Sequence, residues 1–592
     1  MKLLLFFILI ISLPSFAKIN HDDPKWLKLL RYQKGLTGYT SEVDSKEFFF
    51  HKEGKTNPDK ELNATLNAFS EKENRCRFPA RAIILDRAQN LEIDCPEYKK
   101  FIDKVNLKSV SLIFSSYFIE KPASAFGHTF FRLRSKDSGK YNNELLDYGV
   151  DYSAQVTTNN PLLYGIYGII GGFKGNFKMM PYYYKVREYN DTESRDLWDY
   201  ELNFNEDDLR LFMAHLYEMN QAYFDYFYFT ENCSYHILEF VDAIRPDWKL
   251  MEDLDLFVPP VQTIYALFKE KNIVRDVNFR PSLYKNIEYR LKSLNTDEKS
   301  TFEKLVEDKI KLEQTDNVKV IDAYSDYLDF KYSPFFTQKN SPEYAEFNDK
   351  KYDVNLKRSQ IEQESETLSF EGEKKMAPEK GHETKRIRIA PFYRDHKIGG
   401  EFEYRFSFHD FMDKKAGFIP FSSTEMGRIE TNFYDDKFRL DNFTVVSVDA
   451  IRPLSELSNS LSWRFSFGLR DYRPTIKQEY APFVDISLGQ AVSFGNFAMA
   501  LFLRAENSYW GTFDRDLRIG LGPEILVIYN NDQWSMKINF KRLHFYSQLD
   551  RYRSLLELEM RYHVSKNAGI SVGYERETSF DDKYVTNFYW HF

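Results

Sequence analysis

From Thr384 to Phe592 the chain alternates apolar and polar residues with a period of two, in about twelve runs of roughly ten residues, among them "GGEFEYRFSFH", "NFAMALFLRAE" and "KYVTNFYWHF". That pattern demands a sheet with two unlike faces. Turn segments such as "DHKIGG", "YNNDQ" and "SFDDK" separate the runs, so consecutive strands are expected to pair as antiparallel neighbours. A soluble sandwich would satisfy the alternation equally well. It would not explain the aromatic content, 40 Tyr and 53 Phe, which is densest in this last third. A barrel in the bacterial outer membrane explains both, because its outer face meets lipid and aromatic girdles while its other face, here Arg, Glu, Asp, Lys and Ser, lines a polar lumen. Tilted strands of this length also cross the hydrocarbon layer. The chain ends on Phe592, with Trp590, Phe588 and Tyr584 on one face. The expectation is an antiparallel β-barrel of about 12 strands over residues 384–592, with the outer-membrane lipid bilayer as its partner.

Such a protein must be exported. Residues 1–17, "MKLLLFFILIISLPSFA", read as a signal peptide: one Lys, an apolar run too short to span a bilayer as a helix, and a small-residue cleavage site. Position 18 is Lys, not the Cys of a lipoprotein, so no lipid anchor is expected at that end. With 81 basic against 89 acidic residues there is no basic excess to neutralise phosphates, and nucleic-acid binding is not expected.

Before the barrel, residues 18–107 read as a helical N-terminal region, with Asp and Asn caps before "PKWLKLLRY" and "PDKELNATLNAF". Residues 108–250 are α+β: "SVSLIFSSYF", "HTFFRLRS" and "ELLDYGVDYS" are strand-like, and "NEDDLRLFMAHLYEMNQAY" is a capped amphipathic helix. The Gly-aromatic stretch "LLYGIYGIIGGFKGNFKMMPYYYKVREY" between them suggests a loop and a strand pair lining a site. Residues 251–383 form a charged helical connector, and their last part, from 346, resembles a linker or an exposed strand pair.

The chain has three cysteines, and in an exported protein an odd number leaves one over. Cys76 and Cys95, 19 residues apart, suit a loop-closing disulfide. Cys233 would then be a free thiol. Cap-type residues Thr230, Glu231 and Asn232 precede it, and the apolar spacing of Ile237, Leu238, Val241 and Ile244 follows, so Cys233 falls in the first turn of a buried helix. Unpaired amides there favour the thiolate and can steady an oxyanion. The base would be His128 in "PASAFGHTFFRL", at a turn-to-strand junction, with His236 ranked second because a first-turn side chain rarely reaches back to the helix start. Asp147, on the next strand, would orient the imidazole, with Asp151 as the alternative. His128, His215, His236 and His382 show no HExxH or paired-Cys spacing, so neither a metal nor another cofactor is expected.

"PASAFGHTFFRLRS", "TENCSYHILEFVD" and "CRFPARAIIL" resemble the Lnb N-terminal periplasmic domain family, over roughly residues 108–250. The order His before Cys is similar to the circularly permuted NlpC-type papain-like hydrolases, a group that includes the lecithin:retinol acyltransferase-like enzymes. That resemblance implies a permuted papain-like α+β fold with Cys233 as nucleophile, His128 as base and Asp147 as third polar residue. The function it implies is a periplasmic cysteine hydrolase or acyltransferase, tethered to the outer membrane and acting on amide or ester bonds of peptidoglycan peptides or envelope lipids. Two other readings stay open: a pore or transport protein whose periplasmic domain has no chemistry, and a structural anchor that binds peptidoglycan.

Overall fold

The structure, a computed structural model, describes residues 19–117, 126–141, 144–252, 254, 257–455, 457, 459–471, 480–509, 517–546, 552–578 and 581–592. The expected signal peptide, residues 1–17, lies outside the described residues, as do Pro122–Ala125 before the His128 turn. A hairpin of β1 (Tyr32–Gly35) and β2 (Gly38–Ser41) interrupts the helical N-terminal region. A seven-stranded antiparallel sheet follows, built from β3 (Leu107–Ser115), β4 (His128–Ser135), β5 (Tyr148–Gln155), β6 (Phe173–Pro181), β7 (Leu197–Leu202), β8 (Phe224–Tyr226) and β9 (Val274–Arg280). Its strand order is β8-β6-β5-β4-β3-β7-β9.

The Glu206–Met219 and Cys233–Ile244 helices pack against this sheet. Asn205 and Asp208 form a reciprocal capping box at the start of the first, which satisfies amides left open by the first turn. Phe131, Phe177, Phe212 and Phe240 interlock with centroids 4.8–5.5 Å apart between sheet and helices. Each buried ring stabilises the fold by roughly 1.5–3 kcal/mol over exposure. The same core runs from Trp26 to Ile273 and takes in Ala377, Phe408 and Phe418, so the N-terminal helices share it with the sheet and with one end of the barrel. A separate core around Ile287, Phe302, Ile321 and Val354 holds the connector helices.

Two expectations for this half are corrected. The Gly-aromatic stretch contains a helix, Pro161–Ile170, before β6. Its Gly168 serves packing rather than flexibility, since a Cβ there would lie 2.1 Å from the Tyr228 ring. The chain turns only at Gly171, at φ +76°. The segment from 346 starts inside a helix, Pro342–Ser359, that buries Val354 and sets Phe347 against Tyr332 and Phe336. These apolar contacts, seven residues apart, are joined by ion pairs of Lys351 with Asp329 and Arg358 with Asp322, a combination that a low apolar content concealed.

Cys76 and Cys95 are bonded, and Cys233 is free. Closing a loop of this size stabilises by about 3 kcal/mol. The Cys76→Ala, Cys95→Ala double variant is therefore expected to lose about that much stability in denaturant titrations of the N-terminal half. An unchanged midpoint would remove the disulfide from the account of how this half is held.

The C-terminal part closes as a twelve-stranded antiparallel barrel. Its strands are β10 (Arg386–Arg394), β11 (Lys397–His409), β12 (Ser422–Tyr434), β13 (Lys437–Ala450), β14 (Ser462–Asp471), β15 (Tyr480–Phe494), β16 (Phe497–Tyr509), β17 (Leu517–Asn530), β18 (Trp534–Phe545), β19 (Tyr552–His563), β20 (Ala568–Glu577) and β21 (Lys583–His591). β10 pairs with β21, which leaves the sheet no edge. Leu488, Leu501, Leu503, Phe588 and Trp590 point outward and are exposed. Paired charges line the inside: Arg464 meets Glu524 at 2.6 Å, Arg504 meets Asp485 at 2.8 Å, and Lys541 meets Glu506 at 2.7 Å. The loop after β11 folds into one mouth, where Asp413 pairs with Arg405 and Arg561 at 3.1 and 2.8 Å and is buried. No helix among the described residues is long and apolar enough to cross a membrane.

The N-terminal half sits at that mouth. Tyr117 packs on Phe408 and Phe418, Phe126 on Phe408, and the Tyr265 hydroxyl donates to the His382 carbonyl at 2.9 Å.

Candidate functional site

The first turn of the Cys233–Ile244 helix is held by Asn232, whose side chain accepts from the backbone N–H groups of Ser234 and Tyr235 at 3.0 and 3.2 Å. Its amide in turn donates to the Tyr228 and Val258 carbonyls, which fixes the loop leading to Cys233. Opposite, Gly127 at φ +83° turns the chain into β4, and a Cβ there would lie 2.9 Å from the Phe114 ring. Only glycine fits. The strand therefore begins at His128 with its ring turned toward the helix, and Thr129 to Ser234, at 3.1 Å, ties the two elements together.

Residues 105 apart in sequence meet here. His128 Nδ1 stands 3.1 Å from Cys233 Sγ, and His128 Nε2 stands 2.7 Å from Asp151 Oδ1. Lys185 donates to the other Asp151 oxygen at 2.7 Å, so that carboxylate is held from two sides. Tyr189 lies on the His128 ring at 5.3 Å, carried by a π-helical turn over Val186–Thr192, an irregularity frequent at functional sites. Cys233 is only 8% exposed.

The electrostatics follow from this packing. Burial raises the Cys233 thiol and lowers the His128 imidazole, but their mutual attraction outweighs it: the thiol is held below its ordinary value, while the imidazole, also facing Asp151, rises to about 10. Burial likewise raises the Asp151 carboxyl, and His128 and Lys185 outweigh that to bring it down to about 2. Both shifts favour the thiolate–imidazolium form of the pair. Such a pair provides a nucleophile in Cys233 and, in His128, the acid its leaving group needs.

Asp147 is not at the imidazole. It accepts from Arg132 Nε and the Ser135 amide, at 2.8 and 2.9 Å, within an ion cluster that includes Asp199. Strand register explains the substitution of one Asp for the other. Phe131 pairs with Val150 and Leu133 with Tyr148, so carrying the ladder on puts Asp151 opposite Phe130, diagonal to His128, and Asp147 opposite Arg134, three pairs away. Both carboxylates share a face, and only the register tells them apart. His236 points elsewhere: it is buried against Tyr152 and Phe224, 3.7 Å from Glu239, and burial lowers its pKa. His215 is a core residue packed at a tilt against Phe240, and His382 lies at the barrel mouth near Asp413 and His591.

Two neighbours had no signal in the sequence. Lys185 sits in a tyrosine-rich run whose spacing names no partner, and Tyr226, whose hydroxyl is pushed well above its ordinary value by burial and then by the nearby Cys233, lies on a three-residue strand. Asp151→Asn is expected to slow any turnover by about 10²-fold or more, because an amide cannot stabilise the imidazolium. Asp147→Asn should leave the rate unchanged and cost about 1–3 kcal/mol of stability through Arg132. Equal rate losses in the two variants would show that the register argument fails.

Comparison with known proteins gives the chain a context. Residues 97–270 match the Lnb N-terminal periplasmic domain family, residues 375–592 a domain of unknown function (DUF7840), and residues 19–88 another (DUF7843). Among solved structures, the NanC porin is 10% identical over 35% of this chain and 100% of its own, with a TM-score of 0.25. The KdgM porin in complex with disordered oligogalacturonate is 11% identical over 35% and 99%, with a TM-score of 0.23. LpxR from Salmonella typhimurium is 11% identical over 35% and 100%, also at 0.23. No curated protein matches the sequence. With a closed barrel, an apolar outer surface, a charged lumen and a periplasmic domain before it, the chain is an outer-membrane protein with an N-terminal periplasmic domain.

Proposed function

We propose that the protein is an outer-membrane-tethered periplasmic cysteine hydrolase or acyltransferase acting on ester or amide bonds of the cell envelope, with a permuted papain-like domain over residues 108–250. The observation that carries this reading is the continuous relay from Cys233 Sγ through His128 to Asp151, at 3.1 and 2.7 Å. Cys233 is the nucleophile, His128 the base and acid, and Asp151 the orienting carboxylate. Lys185 is a positioning residue, acting through Asp151.

The thiolate attacks the substrate carbonyl carbon, and the oxygen takes the negative charge. The Cys233 backbone N–H, in the first turn of its helix, and the neighbouring Tyr226 hydroxyl are the donors we assign to it. Collapse breaks the carbonyl's bond to its alcohol or amine, which leaves with the proton from His128, and a thioester remains on Cys233. His128, now neutral, deprotonates the second nucleophile. If that is water the reaction is hydrolysis; if it is an alcohol or amine the acyl group is transferred.

Among envelope substrates the surroundings favour a membrane lipid ester. Leu163, Ile166, Ile169 and Ile170 form an exposed apolar face on the Pro161–Ile170 helix, whose Gly168 packs on Tyr228, five residues before Cys233. The next residue, Phe229, touches Phe257, and Phe257 touches Phe406 on the outward face of β11. The apolar path from the site to the lipid-facing barrel surface is therefore short, as an acyl substrate drawn from the leaflet requires. The full-length protein, reconstituted in phospholipid vesicles, should yield an acyl thioester on Cys233 by mass spectrometry of acid-quenched samples. A parallel arm with peptidoglycan peptides should give none. A Cys233 thiol unmodified in both arms would contradict the reading, and an adduct only with the peptides would move the substrate from lipid to peptidoglycan.

A further inference from the structure

On the far side of the same helix, away from His128, three side chains converge that the proposed chemistry does not use. Glu42 follows β2, and His236 and Glu239 lie three residues apart on the Cys233–Ile244 helix, a spacing that puts both on one face. One ligand-type atom from each of the three lies within 4.8 Å of the others. His236 is completely buried, Tyr152 and Phe224 rings flank it at 4.4 and 4.6 Å, and neither of its nitrogens has a hydrogen-bond partner. Its Nδ1 faces Glu239 Oε2 at 3.7 Å. Glu42 accepts from the Tyr235 hydroxyl at 2.5 Å through one oxygen, while the other is buried and unpaired. Glu239 accepts from Arg31 at 2.6 Å and from Gln33 at 3.1 Å.

Buried polar atoms are rarely left without partners, and here two of the three clustered residues, His236 and Glu42, keep such atoms. Two carboxyl groups, Glu42 and Glu239, also crowd against one guanidinium, that of Arg31. A divalent cation would answer both needs. Calcium and magnesium prefer all-oxygen shells, whereas one imidazole with two carboxylates suits zinc and its first-row neighbours. Tetrahedral zinc wants ligand atoms about 3.3 Å apart, a contraction that side-chain rotation can supply.

We propose that Glu42, His236 and Glu239 form a binding site for a divalent transition-metal ion of the zinc class, which clamps the β1–β2 hairpin to the helix that carries Cys233. The absence of any HExxH or paired-Cys spacing does not bear on it, because Glu42 comes from a hairpin some 190 residues away in sequence. The inference stands independently of the role of Cys233. It also gives His236 a place in the molecule other than that of a base.

The test uses the full-length Cys233→Ser protein, in which the reactive thiol cannot compete for metal, stripped with a chelator and titrated with Co²⁺ and Zn²⁺ alone. The expected result is one ion per chain, visible-region Co²⁺ bands without thiolate charge transfer, and a Zn²⁺-dependent rise in the melting temperature of the N-terminal half. Glu42→Gln, the mildest change because Glu42 is only half-buried, should weaken binding at least about tenfold and abolish the rise, and His236→Ala should do the same. Absence of stoichiometric binding would overturn the proposal and leave a carboxyl pair sharing a proton. Binding at unchanged affinity in Glu42→Gln and His236→Ala would also overturn it, by placing the ion elsewhere, for example at His382, Asp413 and His591.

Discussion

Cys233→Ser is expected to remove nearly all turnover, because a hydroxyl in the same place is far harder to ionise than a thiol already paired with an imidazolium. His128→Ala should lower the rate by about two to four orders of magnitude at neutral pH, the usual range for a positioned acid–base group. The pH profile separates the roles. In the parent protein the active form needs Cys233 deprotonated and His128 protonated. As pH falls through the depressed thiol value the nucleophile is lost, and as it rises through about 10 the imidazolium is lost, so kcat/KM should form a broad plateau between those limits. In His128→Ala the acid limb should move up toward the free-thiol value of about 8.5, and the deficit should shrink as pH approaches it. His236→Ala, remote from Sγ, should leave the acid limb where it is. A plateau that survived in His128→Ala would mean that another group generates the thiolate.

Leu503→Arg is expected to destabilise the inserted barrel by about 2–4 kcal/mol, the penalty for an arginine near the bilayer midplane on a lipid-facing strand. Leu503 lies midway along β16, pairs across the ladder with Leu488, and points outward with 58% of its surface exposed. With Val484, Ile486, Leu488 and Leu501 it belongs to a continuous exposed apolar face of the kind that meets lipid. Urea titrations of the reconstituted protein should show the loss, along with a weaker heat-modifiable band in detergent gels. Leu503→Ile should behave as the parent. An arginine variant as stable as the parent, in a protein that needs no detergent, would favour a soluble all-β domain.

How much of this was legible from the residues depends on how far each contact reaches. The barrel was legible in strand number and orientation because each strand carries its own two-faced pattern and pairs with its sequence neighbour. The cap at Asn232 and the glycine turn before His128 were legible for the same reason, since both are local. The choice between Asp147 and Asp151 was not: both lie on β5 with the same parity, and the ladder offset from β4 is a tertiary quantity. The Pro161–Ile170 helix is hidden in the sequence by its glycines, which disfavour helix on propensity alone, whereas Gly168 is small to admit Tyr228. Lys185, Tyr226 and the grouping of Glu42 with His236 and Glu239 arise only when distant segments meet, and no spacing rule finds them.

The rate at which iodoacetamide alkylates Cys233, followed against pH by mass spectrometry of the intact full-length protein, tests most directly whether His128 holds Cys233 as a thiolate. The expected inflection lies below the free-thiol value of about 8.5, and His128→Ala should shift it up to or past that value. An inflection near or above 8.5 in the parent protein, unmoved by His128→Ala, would contradict the ion pair and with it the assignment of Cys233 as a nucleophile.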